Sequence, residues 1–197
     1  MNSQHAIIES RAIHLPQTDI DTDQIIPGRF LTTVSDSGFG EMAFADWRFS
    51  STGQRREGTP FDALRDGDIS ILVAGHNFGC GSSREHAVWA LRDLGIHVVI
   101  SSRIADIFTS NALKNGLAPI VVSREFYQHL TEHPTDLITI DLQALQLNSA
   151  GRTERFSLDA FSQRMLVEGR DQLDHLLSYE PAISDYESRG GATPWTR

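Results

Sequence analysis

Two serines and an arginine follow a glycine-rich turn in the middle of the chain, in the order Ser82, Ser83, Arg84. The glycines that precede them allow the backbone to approach a ligand closely and to adopt positive φ angles. A helix that begins here would present free N–H groups and the positive end of its dipole. The segment therefore predicts a binding site for a carboxylate, a phosphate or another oxyanion.

A structural interpretation of the same residues stays open. Ser82 and Glu85 fit the S-x-x-E pattern of a capping box, and the local pattern alone favours this cap. A cap does not account for two adjacent serines followed by Arg84. Two nucleotide motifs are excluded, because Arg84 occupies the place of the third glycine of G-x-G-x-x-G and no Gly-Lys-Ser/Thr follows.

Three other polar patterns favour structural roles. Asp19, Asp21 and Asp23 are typical of a solvated turn, since they lack the glycine and glutamate of a calcium loop. Asn111 lies on the apolar stripe of a helix and predicts a buried amide that bridges two loops. The segment His129–His133 fits the zinc pattern H-x-x-E-H, but the proline after it ends the helix and no third ligand is evident, so we predict no metal site.

The elements around the glycine turn alternate between strands and helices, which indicates an α/β domain with a partly parallel sheet. The predicted order is strand Asp68–Ala74, turn Gly75–Ser82, helix Ser83–Leu94, strand Ile96–Ser101, helix Ile104–Asn115 and strand Pro119–Val122.

The flanking segments are less regular. Before the turn we predict a strand over Ala6–Leu15, a polar loop over Pro16–Gln24, a helical turn within Ile25–Val34 and a long aromatic loop over Ser35–Gly58. After it we predict helix Glu125–His133, strands Leu137–Leu142 and Arg152–Ser157 paired across Asn148–Gly151, helix Leu158–Glu168 and a helical tail Asp171–Ser188.

Length and composition set limits on the class of protein. The 197 residues predict one domain over 1–197, with a helical tail from about residue 158. A net charge of −9 and the absence of a basic run argue against nucleic-acid binding. No segment predicts a signal peptide or a membrane span. The one cysteine, Cys80, excludes an internal disulfide and fits a cytoplasmic protein, and it cannot by itself hold an iron–sulfur cluster.

Several segments resemble the aconitase superfamily, and the resemblance covers nearly the whole chain. Residues 79–91 read GCGSSREHAVWAL and residues 21–27 read DTDQIIP, both similar to active-site segments of that superfamily. Residues 105–117 give a third match. Chain length and the segment Phe39–Phe49 resemble a branch of bacterial small subunits that isomerise isopropylmalates.

The resemblance implies roles for five residues. Ser82 matches the catalytic base, and Ser83 and Arg84 match residues that hold a substrate carboxylate. Asp23 matches an active-site aspartate, and Arg29 is a looser match to a second substrate-binding arginine. Cys80 matches a position where other members of the superfamily carry different residues, and His86 is interpreted as a structural residue of the helix, so we predict supporting roles for both.

The resemblance also implies a fold and a partner. The fold is the swivelling β/β/α domain of the aconitase type, here with a helical C-terminal extension. It implies that this chain binds no cofactor itself, and that a large partner subunit carries a [4Fe–4S] cluster whose open iron acts as a Lewis acid.

The implied substrate is a small dicarboxylate hydroxy acid. The expected reaction interconverts 2- and 3-isopropylmalate by dehydration and rehydration, in leucine biosynthesis. The segment Ser35–Phe49 is the candidate for recognition of the isopropyl group. A related hydro-lyase that acts on citraconate/methylmalate or homoaconitate is the alternative, and a non-catalytic binding module is a third hypothesis.

Overall fold

Strands and helices are assigned within residues 6–31, 38–65, 69–169 and 176–188, which the computed structural model describes. Eight strands lie in these ranges: β1 Ile7–Ser10, β2 Ala12–Leu15, β3 Ile71–Ala74, β4 Val98–Ser101, β5 Ala118–Val121, β6 Ile138–Asp141, β7 Gln146–Ser149 and β8 Arg152–Arg155. The helices are α1 Thr22–Ile25, α2 Phe39–Met42, α3 Ala45–Arg48, α4 Glu85–Asp93, α5 Asp106–Lys114, α6 Arg124–Glu132, α7 Ala160–Glu168 and α8 Glu180–Ser188, with 3₁₀ turns at Gly28–Phe30 and Pro60–Arg65.

A parallel sheet of order β2-β3-β4-β5 forms the middle layer. All four residues of β3 are buried, because both faces of the sheet are covered. Leu72 and Ala74 point into one core, which they share with residues of α4 and α5. Ile71 and Val73 point into a second core on the opposite face. The predicted α/β class with a parallel sheet is confirmed.

An antiparallel sheet of order β1-β6-β7-β8 encloses the second core, together with α6. The predicted direct pairing of Leu137–Leu142 with Arg152–Ser157 is wrong, because β7 lies between them and pairs with both β6 and β8. The hairpin at Asn148–Gly151 therefore joins β7 to β8. The order of helices, parallel sheet and antiparallel sheet is the β/β/α arrangement that the resemblance implies.

The predicted first strand Ala6–Leu15 is in fact two strands that belong to different sheets. β1 pairs with β6 of the antiparallel sheet, whereas β2 pairs with β3 of the parallel sheet. The chain changes sheets at Arg11. At this junction Ser10 Oγ accepts a hydrogen bond of 3.0 Å from the N–H of Ser70, so the step between the sheets is tied to the segment that enters β3.

The predicted long aromatic loop contains two short helices, α2 and α3, and is therefore more ordered than the sequence indicates. Phe39 and Phe44 are buried in the core. Arg48 is buried as well, and its Nη1 donates to the carbonyls of Gly40 and Ala43 at 2.6 and 2.9 Å. The first residues of this predicted loop, and the end of the predicted element Ile25–Val34, lie outside the described residues.

Within the described residues, α7 and α8 follow the antiparallel sheet, which confirms the helical character of the C-terminal segment. α7 begins at the N-cap Asp159, whose side chain accepts from the N–H groups of Phe161 and Ser162. The start of the predicted tail Asp171–Ser188 lies outside the described residues, and α8 covers its end. In the part of the chain that the structure describes, no helix has the length and apolar character that crossing a bilayer requires.

Candidate active site

The glycine-rich turn leaves the sheet at the carboxyl end of β3, where open α/β sheets usually place their ligands. It runs beside the segment that precedes α1. Gly79 N–H donates to Ile20 O at 2.8 Å, and Thr22 N–H donates to Cys80 O at 3.0 Å. A parallel bridge joins Asp21 to Cys80. The two segments with the strongest motifs are therefore hydrogen-bonded to each other.

The other side of the turn is fixed by the loop that enters α5. Phe78 N–H donates to Arg103 O at 3.1 Å, and Ala105 N–H donates to Phe78 O at 2.9 Å. The buried ring of Phe78 meets Phe108 edge to face, with ring centroids 5.2 Å apart. Residues 78–80 of the turn, just before residues 82–84, are thus hydrogen-bonded on both sides.

Gly79 is required at its position for two reasons. Its φ is +74°, a conformation that side chains with a Cβ rarely adopt. In addition, a Cβ at Gly79 would lie 2.4 Å from Cγ of Phe108. The close approach of the turn to α5 therefore depends on this glycine.

We expect Gly79→Ala to lower the free energy of unfolding by about 3 kcal/mol, from backbone strain and overpacking together. Gly53→Ala is the matched control, because Gly53 has a φ of +78° and its Cβ would meet no atom within 4 Å. It should cost only about 1 kcal/mol, the strain alone. Urea unfolding measures both values, and equal losses would contradict the contact with Phe108.

Ser82 is exposed and lies just before α4. The predicted capping box is wrong: α4 begins at Glu85, its N-cap is Arg84, and no side chain caps it. The hydroxyl of Thr22 instead donates to Ser82 O at 2.9 Å and lies 3.4 Å from Ser82 Oγ. No role is predicted for Thr22 from the sequence, although this residue lies within the segment of residues 21–27 that resembles an active-site segment.

Arg84 and Asp23, both predicted site residues, form a bidentate ion pair. Nη1 of Arg84 donates to Asp23 Oδ1, and Nη2 donates to Asp23 Oδ2 at 2.7 Å. The Arg84 side chain is 18% exposed and the Asp23 side chain 57%. Arg84 is therefore held in place with its fork occupied by the Asp23 carboxylate, two residues beyond Ser82 in the chain.

The Arg84 guanidinium lowers the pKa of the Asp23 carboxyl group, and the N–H of Gly28 contributes in the same direction. The ion pair should therefore persist to lower pH than an unpaired aspartate would allow and be lost as the pH falls through this lowered pKa. A carboxyl NMR titration should show the Asp23 midpoint rise in Arg84→Gln. Arg29→Gln should instead raise that of Asp46. An unmoved Asp23 midpoint in Arg84→Gln would contradict the assignment.

The three aspartates of the first loop have different functions. Asp19 accepts a hydrogen bond of 2.7 Å from the side chain of Asn77. Asp21 caps α1 in a capping box with Gln24. Only Asp23 contacts Arg84. The first two carboxylates thus shape the loop and the third lies at the candidate site.

Arg29 lies in an adjoining open groove of about 690 Å³. It forms a second bidentate pair, with Asp46, at 3.1 and 2.6 Å, and its guanidinium stacks 4.5 Å from the ring centre of Phe30. The groove is lined by apolar side chains, among them Met42 and Phe49, together with these charged groups. The residues that line it do not include Asp23, Ser82 or Arg84.

A hydrogen-bond network joins α4 to the end of α5. Asn115 Nδ2 donates to Glu85 Oε1 at 2.8 Å, and Trp89 Nε1 donates to Asn115 Oδ1 at 2.9 Å. The bridging amide is therefore Asn115, four residues beyond the predicted Asn111. His86 packs against the rings of Phe39 and Trp89, with centroids 5.7 and 4.7 Å apart, which fits the supporting role predicted for it.

Cys80 contributes backbone contacts to the site. Partial burial and the carboxylates of Asp21 and Asp19 raise the pKa of its thiol, so the reactive thiolate is disfavoured at neutral pH. Within the described residues, no three histidine, cysteine, aspartate or glutamate side chains are placed to hold a metal ion.

Comparisons with known proteins bear on the fold and the family of the chain. The family model described as the aconitase C-terminal domain matches residues 6–125. A 3-isopropylmalate dehydratase small subunit from Anaeromyxobacter sp. (strain K) is 46% identical over 92% of this chain and 95% of its own length. The homologue of the same name from Roseiflexus castenholzii is 47% identical over 93% of this chain and 92% of its own length. A crystal structure of 3-isopropylmalate dehydratase from Methanocaldococcus jannaschii superimposes with a TM-score of 0.71 and 30% identity, over 91% of this chain and 98% of that one.

Proposed function

We propose catalytic roles for residues 82–84 and Asp23 of this chain, which belongs to the aconitase C-terminal domain family. Within that family it belongs to the 3-isopropylmalate dehydratase small subunits. The enzyme is a hydro-lyase that interconverts 2- and 3-isopropylmalate in leucine biosynthesis. The proposal rests on one observation above all: a carboxylate, that of Asp23, already occupies the fork of Arg84 beside Ser82.

The reaction makes specific demands on these residues. A proton must leave a carbon next to a substrate carboxylate, and the resulting charge spreads onto that carboxylate. Arg84 binds the carboxylate through two parallel hydrogen bonds and stabilises the charge. Ser82, one residue from Ser83 and two from Arg84, accepts the proton, and Ser83 donates a further hydrogen bond to the carboxylate.

The Asp23 carboxylate has the chemical character of the group that Arg84 would bind in the substrate. Since one guanidinium fork accommodates one carboxylate in this geometry, the substrate carboxylate must displace Asp23 from both arms of Arg84. Asp23 then stays at the edge of the site, where the N–H of Gly28 holds its carboxylate and its charge still attracts Arg84.

Arg29 is the proposed ligand for a second carboxylate, which a dicarboxylate substrate supplies. Two observations support it: Arg29 already holds the Asp46 carboxylate in a bidentate pair, and its groove also offers apolar contacts from Phe30 and Phe49. Those contacts suit an isopropyl group. Phe39 and Phe44 are core residues, so of the aromatic segment only its less buried members are candidates for substrate contact.

The proposed partner is the large subunit, with a [4Fe–4S] cluster that assists departure of the substrate hydroxyl as a Lewis acid. The chain has a single cysteine, whereas such clusters are usually held by several thiolates, so the cluster ligands belong to the partner. A cytoplasmic, reducing location is proposed on the same ground, since the chain forms no internal disulfide.

Reconstitution with the large subunit and a panel of substrates tests this proposal. We expect turnover of 3-isopropylmalate by the pair, no turnover by the isolated small subunit, and a lower kcat/KM for methylmalate. Loss of one or two methylene-sized contacts in an apolar pocket should cost about tenfold to a hundredfold. Equal or better turnover of methylmalate would contradict the isopropylmalate assignment.

A further inference from the structure

Thr22 is in direct hydrogen-bond contact with Ser82, and its position is tightly fixed. It is 3% exposed and is the first residue of α1. Its N–H is bonded to Cys80 O at 3.0 Å, and Asp21 caps the helix just before it. The backbone hydrogen bond from Thr22 to Cys80 therefore holds the Thr22 hydroxyl against residues 80–82.

The hydroxyl has one hydrogen to donate, and the geometry shows where it is used. Thr22 Oγ1 donates to Ser82 O at 2.9 Å, so towards Ser82 Oγ, 3.4 Å away, it presents only lone pairs. Protonated Ser82 can then donate to Thr22. When Ser82 has lost its proton, rotation of the Thr22 hydroxyl turns its hydrogen from Ser82 O to the Ser82 alkoxide. Catalytic hydrogen bonds of this length in free enzymes commonly tighten in the reactive complex.

We propose that Thr22 is the positioning residue for the Ser82 base: it fixes the orientation of the Ser82 hydroxyl and stabilises the alkoxide through this rotation. The inference rests on the proposed role of Ser82. In the reaction, the substrate C–H bond breaks, its electron pair stays on the substrate, and the proton forms the O–H bond of Ser82. Return of that proton to carbon during rehydration restores the alkoxide, and Thr22 keeps its own proton throughout.

The test compares Thr22→Val and Thr22→Ser in the enzyme reconstituted with its large subunit. Thr22→Val keeps the shape and removes the hydroxyl. We expect kcat to fall about tenfold to a hundredfold with KM changed less than about threefold, and the acidic limb of the pH–kcat profile to move to higher pH. Thr22→Ser keeps the hydroxyl and should restore kcat to within about threefold. Thr131→Val is the matched control, because Thr131 also donates to a backbone carbonyl, that of Gln128 at 2.8 Å, but lies in α6.

The double variant Thr22→Val/Ser82→Ala shows whether Thr22 acts by positioning Ser82 or by stabilising the fold in general. If Thr22 acts through Ser82, the double variant is no slower than Ser82→Ala. Full activity of Thr22→Val, or failure of folded Thr22→Ser to recover, overturns the role of Thr22 while leaving Ser82 as base. If Ser82→Ala itself stays active, the base assignment fails and the Thr22 inference falls with it.

Discussion

Ser82→Ala is expected to lower kcat/KM of the reconstituted enzyme by about 10²–10⁴, the usual contribution of a general base. The substituted residue has no group that could accept the substrate proton, whereas the turn that carries it is fixed by contacts of Phe78, Gly79 and Cys80 that involve no side chain of Ser82. Steady-state rates with 3-isopropylmalate give the effect. Subunit assembly and the melting temperature should stay at wild-type values.

Ser157→Ala is the control for this change, since Ser157 is an exposed loop serine between β8 and α7. It should leave the rate unchanged. Wild-type activity of a correctly assembled Ser82→Ala enzyme would show that Ser82 is not the base. A loss of activity accompanied by loss of assembly would instead give the residue a structural role.

Arg84→Lys is expected to lower kcat/KM about tenfold to a hundredfold, because a single ammonium group cannot reproduce two parallel hydrogen bonds to a carboxylate. If the arginine binds substrate and transition state, KM rises and kcat falls together. Steady-state kinetics over a range of isopropylmalate concentrations separates the two parameters.

Arg124→Lys is the matched control, because Arg124 is an exposed arginine at the start of another helix, α6. Its kinetic parameters should equal those of the wild type. Unchanged KM and kcat in Arg84→Lys would refute the carboxylate-binding role, and would leave the pair with Asp23 as a structural link between α1 and α4.

The central strands β3 and β4 of the parallel layer were predictable, because they are fully buried and, apart from Ser101, apolar. β7 was not, since Gln146–Ser149 has one buried apolar side chain, Leu147, and its pairing is settled by its neighbours. The division of the first strand at Arg11 was also hidden, because the sequence carries no glycine or proline where the chain changes sheets.

At the candidate site, the motif residues were identifiable by type but their partners were not. The S-x-x-E pattern predicts a cap at Ser82, yet tertiary contacts of the turn place the start of α4 at Glu85. The contact between Thr22 and Ser82 spans 60 residues of sequence, and local patterns carry no information at that separation. The role of Asn115 was missed for the same reason, since Glu85 and Trp89, which its side chain contacts, lie on a different helix.

The continuous backbone through Ser10, Arg11 and Ala12 couples the unfolding of the two sheets. One stretch of backbone supplies an edge strand to each of the two sheets, so neither sheet can open without removing a strand that is continuous with the other. The amides of β3 and β6 should then exchange with deuterium through the same opening event, with similar free energies. The two cores would then unfold as one cooperative unit. The site between β3 and α4 would be stabilised by both cores.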